Sequence, residues 1–222
     1  MDLDGIININ GDSVQTLEVI FLTTMIMLLP TVVVMMTSFT RYIISFSFLR
    51  NALGTQQTPP NMVLIGLALF LTLFTMAPVI DQINEDAWAP YTEELITQEE
   101  FFARAQVPLK RFMINNTETS ALRMFCNMAG EEVPANVDEG TQLPLRVVTS
   151  AFATSELKRA FEIGLYLYIP FLLIDIIVSS TLLSMGMMML PPAMISTPFK
   201  LLLFITINGW ELLFSTLIRS FR

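Results

Sequence analysis

The sequence predicts an all-α chain: two long apolar helical hairpins flanking a small acidic helical domain. Three observations carry that expectation. Long stretches hold no charge, each apolar half is interrupted by a Pro-Pro pair, and most charged residues lie between the halves. Hydrophobic residues fill 53% of the 222 positions and charged residues 14%, whereas soluble domains carry roughly 25% charge. Much of the surface is therefore expected to face something other than water.

The first hairpin is placed at residues 1–80. Val19 to Thr40 is a run of 22 uncharged residues, and Asn51 to Ile80 a run of 30. A helix needs about 20 apolar residues to cross a bilayer. Between them lies Gly54-Thr55-Gln56-Gln57-Thr58-Pro59-Pro60-Asn61. Proline lacks an amide donor and crowds the preceding turn, so a helix must stop before the pair. Arg41 and Arg50 are the only charges between Glu18 and Asp81. The excess of basic residues on cytoplasmic loops then puts this tip inside the cell and the acidic domain outside. Lys200 agrees with that orientation, whereas Arg219 and Arg222 do not. The start, Met1-Asp2-Leu3-Asp4, has no basic region and does not read as a signal peptide.

Residues 81–162 hold fourteen acids and seven bases, with turn signals at Ala89-Pro90, Gly130, Pro134, Gly140 and Pro144. Pro108 suits the first turn of a helix. Leu109, Phe112 and Met113 follow at helical spacing, as do Leu122, Phe125 and Cys126. Gly130 is placed to end the second of these helices.

The second hairpin is placed at residues 163–222. From Ile163 to Phe199 the only charge is Asp175, and Leu201 to Ile218 is broken only by Glu211. The tip is Leu190-Pro191-Pro192-Ala193-Met194. Ser155 is placed to cap the preceding helix, with Glu156 at its positive end; an intersubunit contact is the other reading of Ser155-Glu156-Leu157-Lys158-Arg159. Ile163 to Leu190 would make a helix about 42 Å long, against a hydrocarbon core of about 30 Å. Tilt, or packing on protein rather than lipid, absorbs the difference.

Composition also excludes functions. There is no histidine, so the commonest general base and metal ligand is missing. Cys126 is the only cysteine and reads as a small apolar filler. The net charge of −8 argues against nucleic acid, which needs basic clusters. No phosphate loop, metal cluster or triad is present; the expectation is a protein that is not an enzyme and holds no cofactor or metal. Asp175 is costly in an apolar helix. Either it forms a buried ion pair with Lys200, or it relays protons in a proton-coupled membrane transporter. Met185-Gly186-Met187-Met188-Met189 reads either as apolar packing or as a soft, deformable seal, since thioether chains fill irregular gaps.

Several motifs resemble one family in order along nearly the whole chain. The first hairpin carries Met35-Met36-Thr37-Ser38-Phe39-Thr40-Arg41 and Leu49-Arg50-Asn51-Ala52-Leu53-Gly54-Thr55, then Pro59-Pro60-Asn61. The second half carries Thr154-Ser155-Glu156-Leu157-Lys158, Ile169-Pro170-Phe171, Met187-Met188-Met189, Pro191-Pro192, Pro198-Phe199-Lys200 and Asn208-Gly209-Trp210. These resemble the FliP/SctR family of type III secretion export gates, most closely its flagellar branch. The family's last motif carries an acid before Gly-Trp; here Asn208 stands there.

The resemblance implies a helical, roughly five-fold ring complex with FliQ-like and FliR-like subunits. It forms the entry channel for unfolded flagellar substrates. It sits in the bacterial inner membrane at the flagellar basal body, inside a basal-body ring protein, largely above the bilayer plane and in contact with membrane lipid. FlhA-like and FlhB-like export components are implied as further partners. Met187, Met188 and Met189 match the methionine loop that seals the closed channel, and Arg41, Arg50, Glu156 and Lys158 are candidate subunit contacts.

Overall fold

The computed structural model describes residues 6–9, 12–15, 34–55, 57–187 and 189–221, with Val19, Ile20, Thr23, Thr24 and Met27. Ten of the 22 residues of the first apolar run, Val19 to Thr40, therefore lie outside the described residues. A short antiparallel hairpin pairs β1 (Ile6–Ile9) with β2 (Asp12–Gln15). All the other regular structure described is helical, as the sequence predicts.

Helix α1 spans Phe39–Leu53 and ends at Gly54, whose φ of 72° is left-handed, a conformation glycine adopts without steric cost. Helix α2 spans Asn61–Ile83, starting directly after Pro60. It continues through a π-helical turn, Asn84–Trp88, into α3 (Ala89–Thr92). Helix α4 runs Gln98–Asn115 from a capping box: Thr97 Oγ1 accepts from the Glu100 amide and the Glu100 carboxylate accepts from the Thr97 amide. Pro108 thus lies in the helix interior, not its first turn; the Thr97-to-Glu100 spacing was the start signal. Helix α5 (Thr119–Ala129) ends at Gly130, again left-handed at φ 72°, and α6 is the single turn Val137–Gly140.

Helix α7 runs 40 residues, Leu145–Ser184, starting after Pro144, a length of about 60 Å. Ser155 therefore caps nothing. It lies ten residues inside the helix, where its hydroxyl donates to the Ala151 carbonyl and accepts from the Glu118 amide. Helix α8 (Pro192–Thr206) follows the second Pro-Pro pair, with Pro192 in its first turn.

The last apolar stretch is not one helix. Between α8 and α9 (Gly209–Arg219) the axis turns by 64°. Asn208 stands at the corner with φ 50° and ψ 49°. Asparagine tolerates this left-handed conformation better than most side chains. A Cβ on Gly209 would lie 2.2 Å from the Phe204 ring, so no larger residue fits there without moving it.

Two apolar cores result. One gathers Met36, Met76 and Val79 with Phe112, Met113 and Cys126 from the acidic region and Val148 and Phe152 of α7. This core reaches across the expected boundary at 80, and α7 runs through the expected boundary at 162. The other gathers Tyr42, Phe46 and Leu49 with Phe171, Phe204, Leu213 and Leu217. Phe221 packs against both. Among the described residues two helices, Asn61–Thr92 and Leu145–Ser184, are long and apolar enough to cross a membrane, yet only 28% and 11% of their most apolar windows are buried. Surface this apolar needs cover from lipid or from other chains.

Candidate functional site

The second tip is built by backbone geometry. After Ser184 the chain turns through Met185 and Gly186, which is left-handed at φ 75°. The Met187 amide donates to the Leu182 carbonyl at 2.9 Å and the Gly186 amide to Leu183 at 3.0 Å, closing the free carbonyls of α7. Pro191 and Pro192 then force a new start. What lies between is pushed outward: Met189 is 98% exposed and Met187 43%. Met188 lies outside the described residues. Beneath the tip, α7 and α8 leave a cavity of about 510 Å³ lined by Ile177, Leu182, Met185, Ile195 and Phe199 among others. Thioether side chains at the tip thus have apolar space beside them.

Asp175 and Lys200 lie at the tip's base. Lys200 Nζ donates to Asp175 Oδ2 at 2.7 Å and to the Ala52 carbonyl at 3.0 Å. Ser196 Oγ donates to Asp175 Oδ1 at 2.6 Å. The ammonium is almost fully buried and the carboxylate about one-third exposed. Lys200 also sits at the carbonyl end of α1, where a cation is favoured, so one side chain ties α1, α7 and α8. Ala52 and Ser196 are partners that the spacing of charges in the sequence could not reveal.

Asp175→Ala removes a partly exposed carboxylate and leaves the Lys200 ammonium short of a partner, at an expected cost of about 1–3 kcal/mol. Adding Lys200→Met should restore most of that loss. Thermal unfolding of the purified variants checks this; a double variant no more stable than Asp175→Ala removes the pair from the account.

The expected subunit contacts divide. Arg41 and Glu156 are fully buried within the chain and face each other, so neither is free to touch a neighbour. Arg41 Nε donates to Glu156 Oε2 at 2.8 Å, and Nη2 to Oε1. Its Nη1 donates to the Ser220 hydroxyl at 2.7 Å and carbonyl at 3.1 Å, and the Phe221 ring lies 3.7 Å from the guanidinium carbon. Every guanidinium nitrogen has an acceptor, as a buried charge requires. Ser220 and Phe221 were missed because nothing in their local pattern points 180 residues back. Arg50 braces the first tip, donating to Asn61 Oδ1 and the Pro59 carbonyl. Lys158 is exposed and pairs with Glu118 at 2.8 Å; its ammonium holds the Glu118 carboxyl below its ordinary range. Among the described residues no cluster of side chains could hold a metal ion.

Comparison with known proteins gives a consistent result. The FliP family pattern matches residues 22–217. The chain is 47% identical over 213 residues to the flagellar biosynthetic protein FliP of Aquifex aeolicus (strain VF5), covering 96% of this chain and 88% of the relative. It is 47% identical over 207 residues to the Bacillus subtilis (strain 168) protein of the same name, covering 93% and 92%. The relative from Buchnera aphidicola (subsp. Acyrthosiphon pisum, strain APS) is longer: the 47% identity there spans 94% of this chain but 54% of the relative.

Proposed function

This chain belongs to the FliP family, and from that premise we propose that it is a pore-forming core subunit of the flagellar type III protein export gate. Several copies, about five, join FliQ-like and FliR-like subunits to form the entry channel for unfolded substrates in the bacterial inner membrane at the basal body. FlhA-like and FlhB-like components and a basal-body ring protein complete its surroundings. The acidic region 81–162 faces away from the cytoplasm, and Met187, Met188 and Met189 close the channel. No catalytic role is proposed.

The observation that carries the reading is the methionine tip. Two apolar helices end in an outward turn that exposes soft side chains at a place fixed by Gly186 and the double proline. Side chains that must meet copies of themselves across an axis have to project from the chain that bears them. The apolar faces of α2 and α7, left bare in a single chain, supply surface for neighbours and lipid. The alternative, a proton-coupled transporter using Asp175, needs that acid open to a water path; its Lys200 and Ser196 partners speak against it.

Mass and composition of the particle purified under gentle detergent test the proposal. The expected particle contains several copies of this chain with FliQ-like and FliR-like subunits. A stable monomer or simple dimer without partners would return the transporter reading.

A further inference from the structure

A cavity of about 380 Å³ lies where α2, α4 and α9 meet. It opens to the surface and is the size of a small-molecule site. Two prolines face it, Pro78 of α2 and Pro108 of α4, both inside their helices. Each lacks the amide that would bond one turn back and each crowds that turn.

The lining is chemically lopsided. Among the described residues of the lining, Arg111 is the only charged one, in a chain of net charge −8. Its other polar side chains are neutral: Thr75, Gln82 and Asn115. Arg111 Nη2 contacts Asp138 Oδ1 at 3.0 Å, but that carboxylate is 83% exposed and such surface pairs are weak. A phosphate, which guanidinium binds through paired hydrogen bonds, is a better partner. The remaining wall is apolar, formed by Phe112, Ile218 and Phe221 with the prolines.

One ridge of α2 leads out of the cavity. Phe70, Phe74, Pro78 and Gln82 follow at intervals of four residues, so they share a helix face. Phe74, Pro78 and Gln82 line the cavity. Phe70 and Phe74 are 74% and 66% exposed, and both belong to the apolar helix Asn61–Thr92, which is long enough to cross a membrane. The ridge therefore joins a cationic, amide-rimmed cavity to a bare apolar face.

We propose that this cavity binds an anionic phospholipid, its phosphate on Arg111 with Asn115 and Gln82 beside it, and one acyl chain along Phe74 and Phe70. The proposal rests on the membrane setting of α2 and not on any role in export.

The test uses the full chain, purified within its assembly and supplied with phosphatidylglycerol bearing a photoactivatable acyl chain. Cross-linked peptides are mapped by mass spectrometry. Labelling should concentrate on residues 70–78 and 218–221 and fall about tenfold in Arg111→Gln, the loss expected when one charged contact is removed. Asp138→Asn breaks the same surface pair but keeps the cation, and should retain full labelling. Soluble glycerol phosphate at equal concentration should not compete. Displacement by it would mean a site for free phosphate esters and end the lipid assignment. Labelling spread evenly over the bare faces of α2 and α7, or unchanged in Arg111→Gln, would mean bulk lipid contact only. Capture of a neighbouring polypeptide by a photoreactive residue at position 74 would assign the groove to protein instead.

Discussion

Replacing Glu156 with alanine is expected to remove the protein from the membrane fraction almost completely. The change strands a fully buried guanidinium whose remaining acceptors are the two oxygens of Ser220. Breaking one half of a buried pair costs about 3–5 kcal/mol, against a total stability of roughly 5–15 kcal/mol for an ordinary domain. Arg41→Lys should be nearly as damaging, because a point ammonium cannot serve Glu156 twice and reach Ser220 as well. Arg41→Met combined with Glu156→Leu should recover much of the loss, since apolar side chains of similar size need no partner. Quantitative immunoblotting of membrane fractions and thermal unfolding of purified protein read the series. Normal accumulation of Glu156→Ala would show that the pair contributes little.

The second large effect concerns the tip. If the tip closes the channel as proposed, changing Met187, Met188 and Met189 to alanine together should raise ion leakage across the cell membrane by about tenfold or more, because three flexible fillers are lost there. Assembly should be little affected, because Met187 and Met189 are exposed and lie outside both apolar cores. Changing them to isoleucine keeps the bulk but stiffens the side chain at χ1; leakage should stay low while substrate passage slows. Conductance of cells expressing each variant, with secretion measured in parallel, separates the two outcomes. Leakage equal to that of the unaltered protein in a normally assembled alanine variant would leave these residues as ordinary apolar cover beside a turn.

The helices were readable where breakers speak locally. Gly54, Pro60, Gly130 and Pro192 each end or begin a helix where composition places the boundary. Asp175 and Lys200 could be matched because an apolar segment leaves a charge few partners to choose from. Other features depend on contacts far away in sequence. The start of α7 at Leu145 was obscured because residues 145–162 carry charge yet still pack on α1 and α5. The corner at Asn208 hid inside an apolar run, since hydropathy is blind to one left-handed residue. Arg41 and Glu156 were expected to be subunit contacts because nothing in the local sequence of either marks the other, 115 residues away, as its partner.

The same buried hub sets an order of events. Arg41 waits for acceptors 115 and 179 residues downstream. At bacterial elongation rates the second of them follows roughly 9–36 seconds later. Until Glu156 is made, roughly 6–23 seconds after Arg41, a guanidinium destined for a dry interior has no permanent counter-ion, and α1 cannot take its final place against α7. The first hairpin thus cannot mature as a free-standing unit, and the polypeptide closes from its centre only after Phe221 has arrived to lie over Arg41 and join the two cores. Contacts this distant make such closure slow, and they tie the quality of the finished subunit to residues made long after its first helix.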